Sequence, residues 1–224
     1  MTFGIGVNQG EDLASFLYQK MPKYNVYNMG IPGGGMNEIL SDVVKNMRLN
    51  DINNLGGAVV YTMFNTHITR TFCSVECHEG PAKWMKYQLK DTYDFNDAGE
   101  LISTGSYFES NRLLFYHREI LAKSNFLKFI GFERPKHYSD EYIEKYIRYI
   151  NFLKTHYQKF NLEFYVYLPI VDNFFSVDFK TRLEKNGIKV IAYNNKNLQI
   201  HLREKLNIPG EGIGVNWEMI TTLR

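Results

Sequence analysis

The residues best suited to chemistry lie in Tyr24-Asn25-Val26-Tyr27-Asn28-Met29-Gly30-Ile31-Pro32-Gly33-Gly34-Gly35-Met36-Asn37. The run reads as a short strand, a sharp glycine turn and a helix start. Such a turn aims backbone N–H groups at one point, which suits an anion or a developing oxyanion. The same glycines could simply make a tight strand–helix turn. A second glycine run, Gly4-Ile5-Gly6-Val7-Asn8-Gln9-Gly10, lacks both the preceding strand and the regular spacing of a dinucleotide loop, so no nucleotide cofactor is expected. Cys73, Cys77 and His78 miss the haem-attachment spacing by one residue and are too few for a closed zinc site. They are read as free thiols and an ordinary histidine, with no metal and no disulfide framework.

These residues need a scaffold, and the apolar pattern supplies one. Residues 11–21 and 37–49 have helical spacing, the second with Ile39, Leu40, Val43, Val44 and Met47 on one face. Val26 falls in a short strand. Residues 58–64 and 163–169 are near-continuous apolar runs, expected as strands buried on both faces of a parallel sheet. Within 71–108 the alternation at Tyr87–Leu89 and Tyr93–Phe95, the turn residues Asn96–Gly99, and Leu101-Ile102 predict a β-hairpin insertion. Its aromatics Trp84, Tyr87, Tyr93 and Phe95 either line a cleft or pack the hairpin on the body. A long helix is expected over 109–129. A second, starting at Ser139-Asp140-Glu141, runs to about Lys159. A helix over 177–186 ends at Gly187, and residues 188–192 form a strand. A short helix near 196–205, a Pro209-Gly210 turn and a helix from Asn216 follow. Alternation of strands and helices argues for a parallel sheet with helices on both faces.

The 224 residues suit a single domain over 1–224, and a net charge of +2 argues against nucleic acid as a partner. No run approaches the roughly 18 apolar residues of a membrane span. No secretory leader is visible, so the chain as it stands reads as cytoplasmic, although a leader would be lost with a missing N-terminus.

Together the glycine turn and the opening Met1-Thr2-Phe3-Gly4 resemble blocks II and I of the SGNH (GDSL-type) hydrolase superfamily. The resemblance implies an α/β/α sandwich with a flavodoxin-like parallel sheet, here lacking its first strand. It assigns Gly33 to the block II oxyanion glycine and Asn65, directly after the 58–64 run, to the block III asparagine, with Thr66 in place of the usual aspartate. Read without the resemblance, Asn65 is equally a candidate helix N-cap, and His67, two residues on, either faces the same cleft or is structural, the commoner role of a lone histidine. Block V matches Pro209-Gly210-Glu211-Gly212-Ile213, where Glu211 stands for the acid and Ile213 for the expected histidine. His201 is a weak substitute, and no histidine follows it. The nucleophilic serine would fall one residue before Met1.

An intact member would be an ester hydrolase, acting through serine attack and a histidine base, with no cofactor. Its substrate would be a small ester or an acylated carbohydrate or lipid. This chain, holding only the oxyanion side, is expected to be inactive. A start at an internal methionine explains the missing serine, and degeneration explains the missing histidine. The alternatives are a non-catalytic binding protein on the same fold, or an acyltransferase. Loss of a central strand would also leave unpaired edges, each group costing roughly 1–3 kcal/mol, so the chain alone is expected to be poorly stable, aggregation-prone or rearranged.

Overall fold

The structure, a computed structural model, describes residues 13–20, 23, 25–30, 34–45, 56–72, 91–110, 112–131, 139–168 and 177–192. In chain order the elements are α1 (Leu13–Lys20), α2 (Met36–Val44), β1 (Gly57–Thr62), α3 (Asn65–Thr71), β2 (Asp91–Phe95), β3 (Leu101–Ser106), α4 (Tyr107–Ser110), α5 (Arg112–Lys123), α6 (Asn125–Phe129), α7 (Asp140–Gln158), β4 (Leu162–Leu168), α8 (Val177–Lys185) and β5 (Lys189–Ala192). The fold is mixed α/β. Three strands form a parallel sheet in the order β1-β4-β5, and β2 and β3 form a separate antiparallel hairpin.

The parallel register sets the two faces of the sheet. Val59 pairs with Phe164 and Tyr61 with Val166, while Val166 also pairs with Val190. In β4, Leu162, Phe164, Val166 and Leu168 are buried, and the residues between them are more open. Successive side chains on a strand point to opposite faces. The buried face meets α2, α3, α7 and α8 in one core that includes Leu40, Ile68, Tyr146, Ile150, Leu153 and Leu183. On the opposite face Val60 and Ile191 are about half exposed, at 49% and 46%. The expected burial of both faces is therefore corrected. Among the described residues the packed helices converge on one side, and the apolar run marked strand without marking which faces are covered. Residues 25–30 are irregular, so the strand expected at Val26 is not formed. It has no described partner strand, and a strand needs a ladder for its N–H and C=O groups.

Local chemistry fixes the other boundaries. In α2, Met36, Leu40 and Val43 are buried in a helical stripe, whereas Val44 is 42% exposed, so the predicted face is narrower than expected. The long helix expected over 109–129 is three helices. Ser124 is the break: its N–H still donates to the Ile120 carbonyl at 3.0 Å, while its hydroxyl accepts from the Leu127 N–H at 3.2 Å and starts α6. The predicted start of α7 is present, with Ser139 Oγ accepting from the Tyr142 N–H at 3.4 Å. Gly187 ends α8 at φ +68°, its N–H donating to the Glu184 carbonyl and the Ile188 N–H to the Leu183 carbonyl.

The hairpin turns at Asn96–Glu100, as its turn residues predict, with Gly99 at φ +78°. It occupies 91–106, and α3 takes Thr71, the first residue of the predicted insertion. Its aromatics pack on α7. Phe95 stacks on Tyr149 at 5.6 Å, and the Tyr149 hydroxyl donates to the Tyr93 carbonyl at 2.5 Å. Trp84 and Tyr87 lie outside the described residues, as do the elements expected after residue 192.

Candidate functional site

The carboxyl end of β1 is the part of the predicted site that the structure describes. The Met63 N–H donates to the Tyr167 carbonyl at 2.9 Å, holding the strand end to β4 just before the chain turns into α3. Asn65 is the first residue of α3. The residue that caps the helix is Phe64, with φ −120° and ψ 155°. The N-cap reading of Asn65 is therefore corrected by one residue. Phenylalanine has no capping oxygen, and His67 takes that role from inside the helix. Its Nδ1 lies 3.5 Å from the Phe64 N–H, which donates to it, and its own N–H donates to the Phe64 carbonyl at 2.9 Å.

An Nδ1 that accepts from a backbone N–H carries no proton, so the neutral imidazole holds its hydrogen on Nε2. Burial, with Arg70 nearby, pushes the His67 pKa down to about 3. A base this weak is a poor proton acceptor near neutrality. His67 is a structural group.

The same Nδ1 is 3.2 Å from the Tyr61 hydroxyl, which lies 2.5 Å from the Tyr146 hydroxyl. Burial raises both phenol pKa values above their ordinary range. The three groups form a neutral hydrogen-bonded chain joining β1, α3 and α7. The chemistry-first reading missed this chain. Its signal was the spacing of Tyr142, Tyr146 and Tyr149 along one face of a strongly periodic helix.

The glycine turn comes against the same helix. The Arg70 guanidinium donates to the Gly34 carbonyl at 3.2 Å. The Met36 N–H donates to Thr71 Oγ1 at 3.2 Å, and the Asn37 amide to the Thr71 carbonyl at 2.9 Å. Glu38 closes the turn by accepting from the Gly35 N–H at 2.7 Å. A Cβ on Gly35 would sit 3.3 Å from Arg70 Cβ, so the glycine permits close approach of the two helices. Of the residues that the resemblance singles out, the structure thus places the backbone of Asn65 at the strand end and brings the last glycines of the turn to α3. Gly33 and Glu211 lie outside the described residues, as do Cys73, Cys77, His78 and His201.

A second buried polar centre holds α4 and α5 to this region. Arg118, only 3% exposed, donates from Nη1 to the Phe72 carbonyl at 3.0 Å and to the Tyr107 hydroxyl at 2.6 Å. Its Nη2 donates to the Tyr142 hydroxyl at 3.2 Å. Among the described residues no group of three or more His, Cys, Asp or Glu side chains is arranged to hold a metal. No described helix is long and apolar enough to cross a membrane. Comparison with known proteins found no matching family model, no matching curated protein and no matching solved structure.

Proposed function

We propose that this chain carries the scaffold and the oxyanion side of an SGNH-type ester hydrolase, and that as given it binds an acyl or ester ligand without turning it over. The placement of Asn65 is the observation that carries this reading. It opens a helix directly after β1, at the carboxyl edge of a parallel sheet, where open α/β sheets bind their ligands. The order β1-β4-β5 corresponds to the last three strands of the flavodoxin-like order, a three-layer sandwich whose first strand would pair with β1. The glycine turn supports the reading from the other side, since Arg70 and Thr71 bind its last residues to α3.

In this reading the backbone N–H of Gly33 and the side chain of Asn65 stabilise negative charge on an acyl oxygen. Glu211 is the proposed acid of the last loop. No residue of the chain matches the nucleophile, and none matches the base. The neutral, acceptor-locked state of His67 removes this histidine, two residues from Asn65 in sequence, from that role, which favours ligand binding over catalysis.

The test is hydrolysis of p-nitrophenyl acetate by the protein made from its natural gene, beside an Asn65→Ala variant of unchanged circular dichroism. A loss of about 10²–10³-fold in turnover is expected for an oxyanion donor if the natural product is active. If neither protein turns over the ester, saturable binding of a short-chain acyl ester that weakens in Asn65→Ala supports the binding form. Equal turnover or equal binding in both proteins sinks the proposal.

A further inference from the structure

We propose that the helix pair α5–α6 docks flat on an anionic lipid surface. The pair shows water the side chains that a helix ordinarily hides. Leu113 is 89% exposed, Ile120 66%, Phe126 68% and Phe129 88%, with Tyr116 and Ile130 more than half exposed. Such a concentration of apolar surface on adjoining helices marks an interaction site, unlike scattered exposed leucines.

The pattern along α5 is inverted with respect to the body. Its buried residues are Arg118 and Ala122. Leu113 and Ile120 stand seven residues apart, within about 20° of one another around the helix axis. Tyr116 borders the same stripe. The exposed surface of α7 instead carries Asp140, Glu141, Glu144 and Arg148, charges of both signs, with Asp140 and Glu144 paired to Arg182 of α8.

Charge selects the occupant. Setting aside the buried Arg118, the sequence of residues 112–131 holds Arg112, Lys123 and Lys128 against a single acid, Glu119. Helical spacing puts Arg112 and Lys123 along the Tyr116 flank of the apolar stripe. Glu119 forms an ion pair with Lys123, so the acid is held on that flank too. An apolar stripe with cations along its border is the arrangement of a helix lying in a membrane interface, where the apolar side chains enter the acyl boundary and the cations meet lipid phosphates. The break at Ser124 divides the segment into two short helices. The inference stands apart from the ester-hydrolase reading.

The experiment is co-sedimentation of the full chain with phosphatidylcholine vesicles and with mixed phosphatidylcholine–phosphatidylserine vesicles. The variants are Ile120→Glu with Phe129→Glu, and, leaving the apolar stripe intact, Arg112→Glu with Lys123→Glu. Circular dichroism and sedimentation velocity accompany each. The expected result is preferential binding to the mixed vesicles, weakened by salt, and lost by about tenfold or more in either double variant. If the first variant misfolds, the charge variant decides by the same measure. Indifference of binding to lipid charge and to both variants overturns the proposal. So does absence of vesicle binding, whether the chain is monomeric or self-associates through this face in a way that Ile120→Glu with Phe129→Glu abolishes.

Discussion

Under β1 and on the inner side of α5 the protein buries polar groups, and on the outer side of α5–α6 it exposes apolar ones. The buried chain of Tyr61, Tyr146 and His67 is held by contacts of 2.5 and 3.2 Å, and Arg118 is held by two tyrosine hydroxyls and a carbonyl. On α5–α6, Leu113 and Phe129 stand almost wholly in solvent. Residue type alone would reverse this arrangement. Polar groups go inside when each finds a partner, because an unsatisfied buried group costs about 1–3 kcal/mol whereas a paired one costs little. Exposed apolar groups gain nothing within the chain, so their energetic consequence lies with whatever covers them.

The largest test of this contrast is Arg118→Met. It removes three donated hydrogen bonds and leaves the Tyr107 and Tyr142 hydroxyls to find new partners, so a loss of about 3 kcal/mol is expected in urea unfolding. A loss under about 1 kcal/mol would show that the Arg118 centre does not hold α4 and α5 to the body.

Acid is the next probe. The His67 pKa falls from 6.5 to about 3 on folding, so between these values the unfolded chain binds more protons. Stability contributed by the neutral imidazole is present above pH 6.5 and declines as pH drops toward 3, by at most about 1.4 kcal/mol per pH unit. Urea midpoints measured at descending pH should fall, and the fall should be shallower in His67→Gln. Identical pH profiles for the two proteins would remove His67 from the network.

Tyr146→Phe deletes one hydroxyl while His67 can still accept from Tyr61, so about 1–1.5 kcal/mol is expected in the same assay. Smallest of all is Ile120→Glu, predicted to change stability by less than about 0.5 kcal/mol because its side chain is already in water. A larger loss would mean that α5 packs on the body through its apolar stripe.

Much of the strand and helix order was legible because local rules wrote it. Ser139 announces α7, Gly187 ends α8, and Asn96–Gly99 makes the hairpin turn, each through chemistry confined to a few neighbouring residues. The candidate site was legible in part. A strand followed at once by Asn65 is a sequence statement, as is a glycine run before a helix. That Phe64 caps α3 was not readable, because the cap depends on an imidazole folding back on the strand end.

The alternation of β4 and the Tyr142–Tyr146–Tyr149 spacing on α7 determined which side chains face the core, since periods of 2 and 3.6 residues are properties of the chain itself. Tertiary structure alone decided that β1 pairs with β4, that Val60 and Ile191 lie on the less covered face, and that Tyr61 meets Tyr146 across a separation of 85 residues. Such pairings depend on how elements distant in sequence pack together. The same apolar residue can therefore line a core or face a partner, according to what stands opposite it.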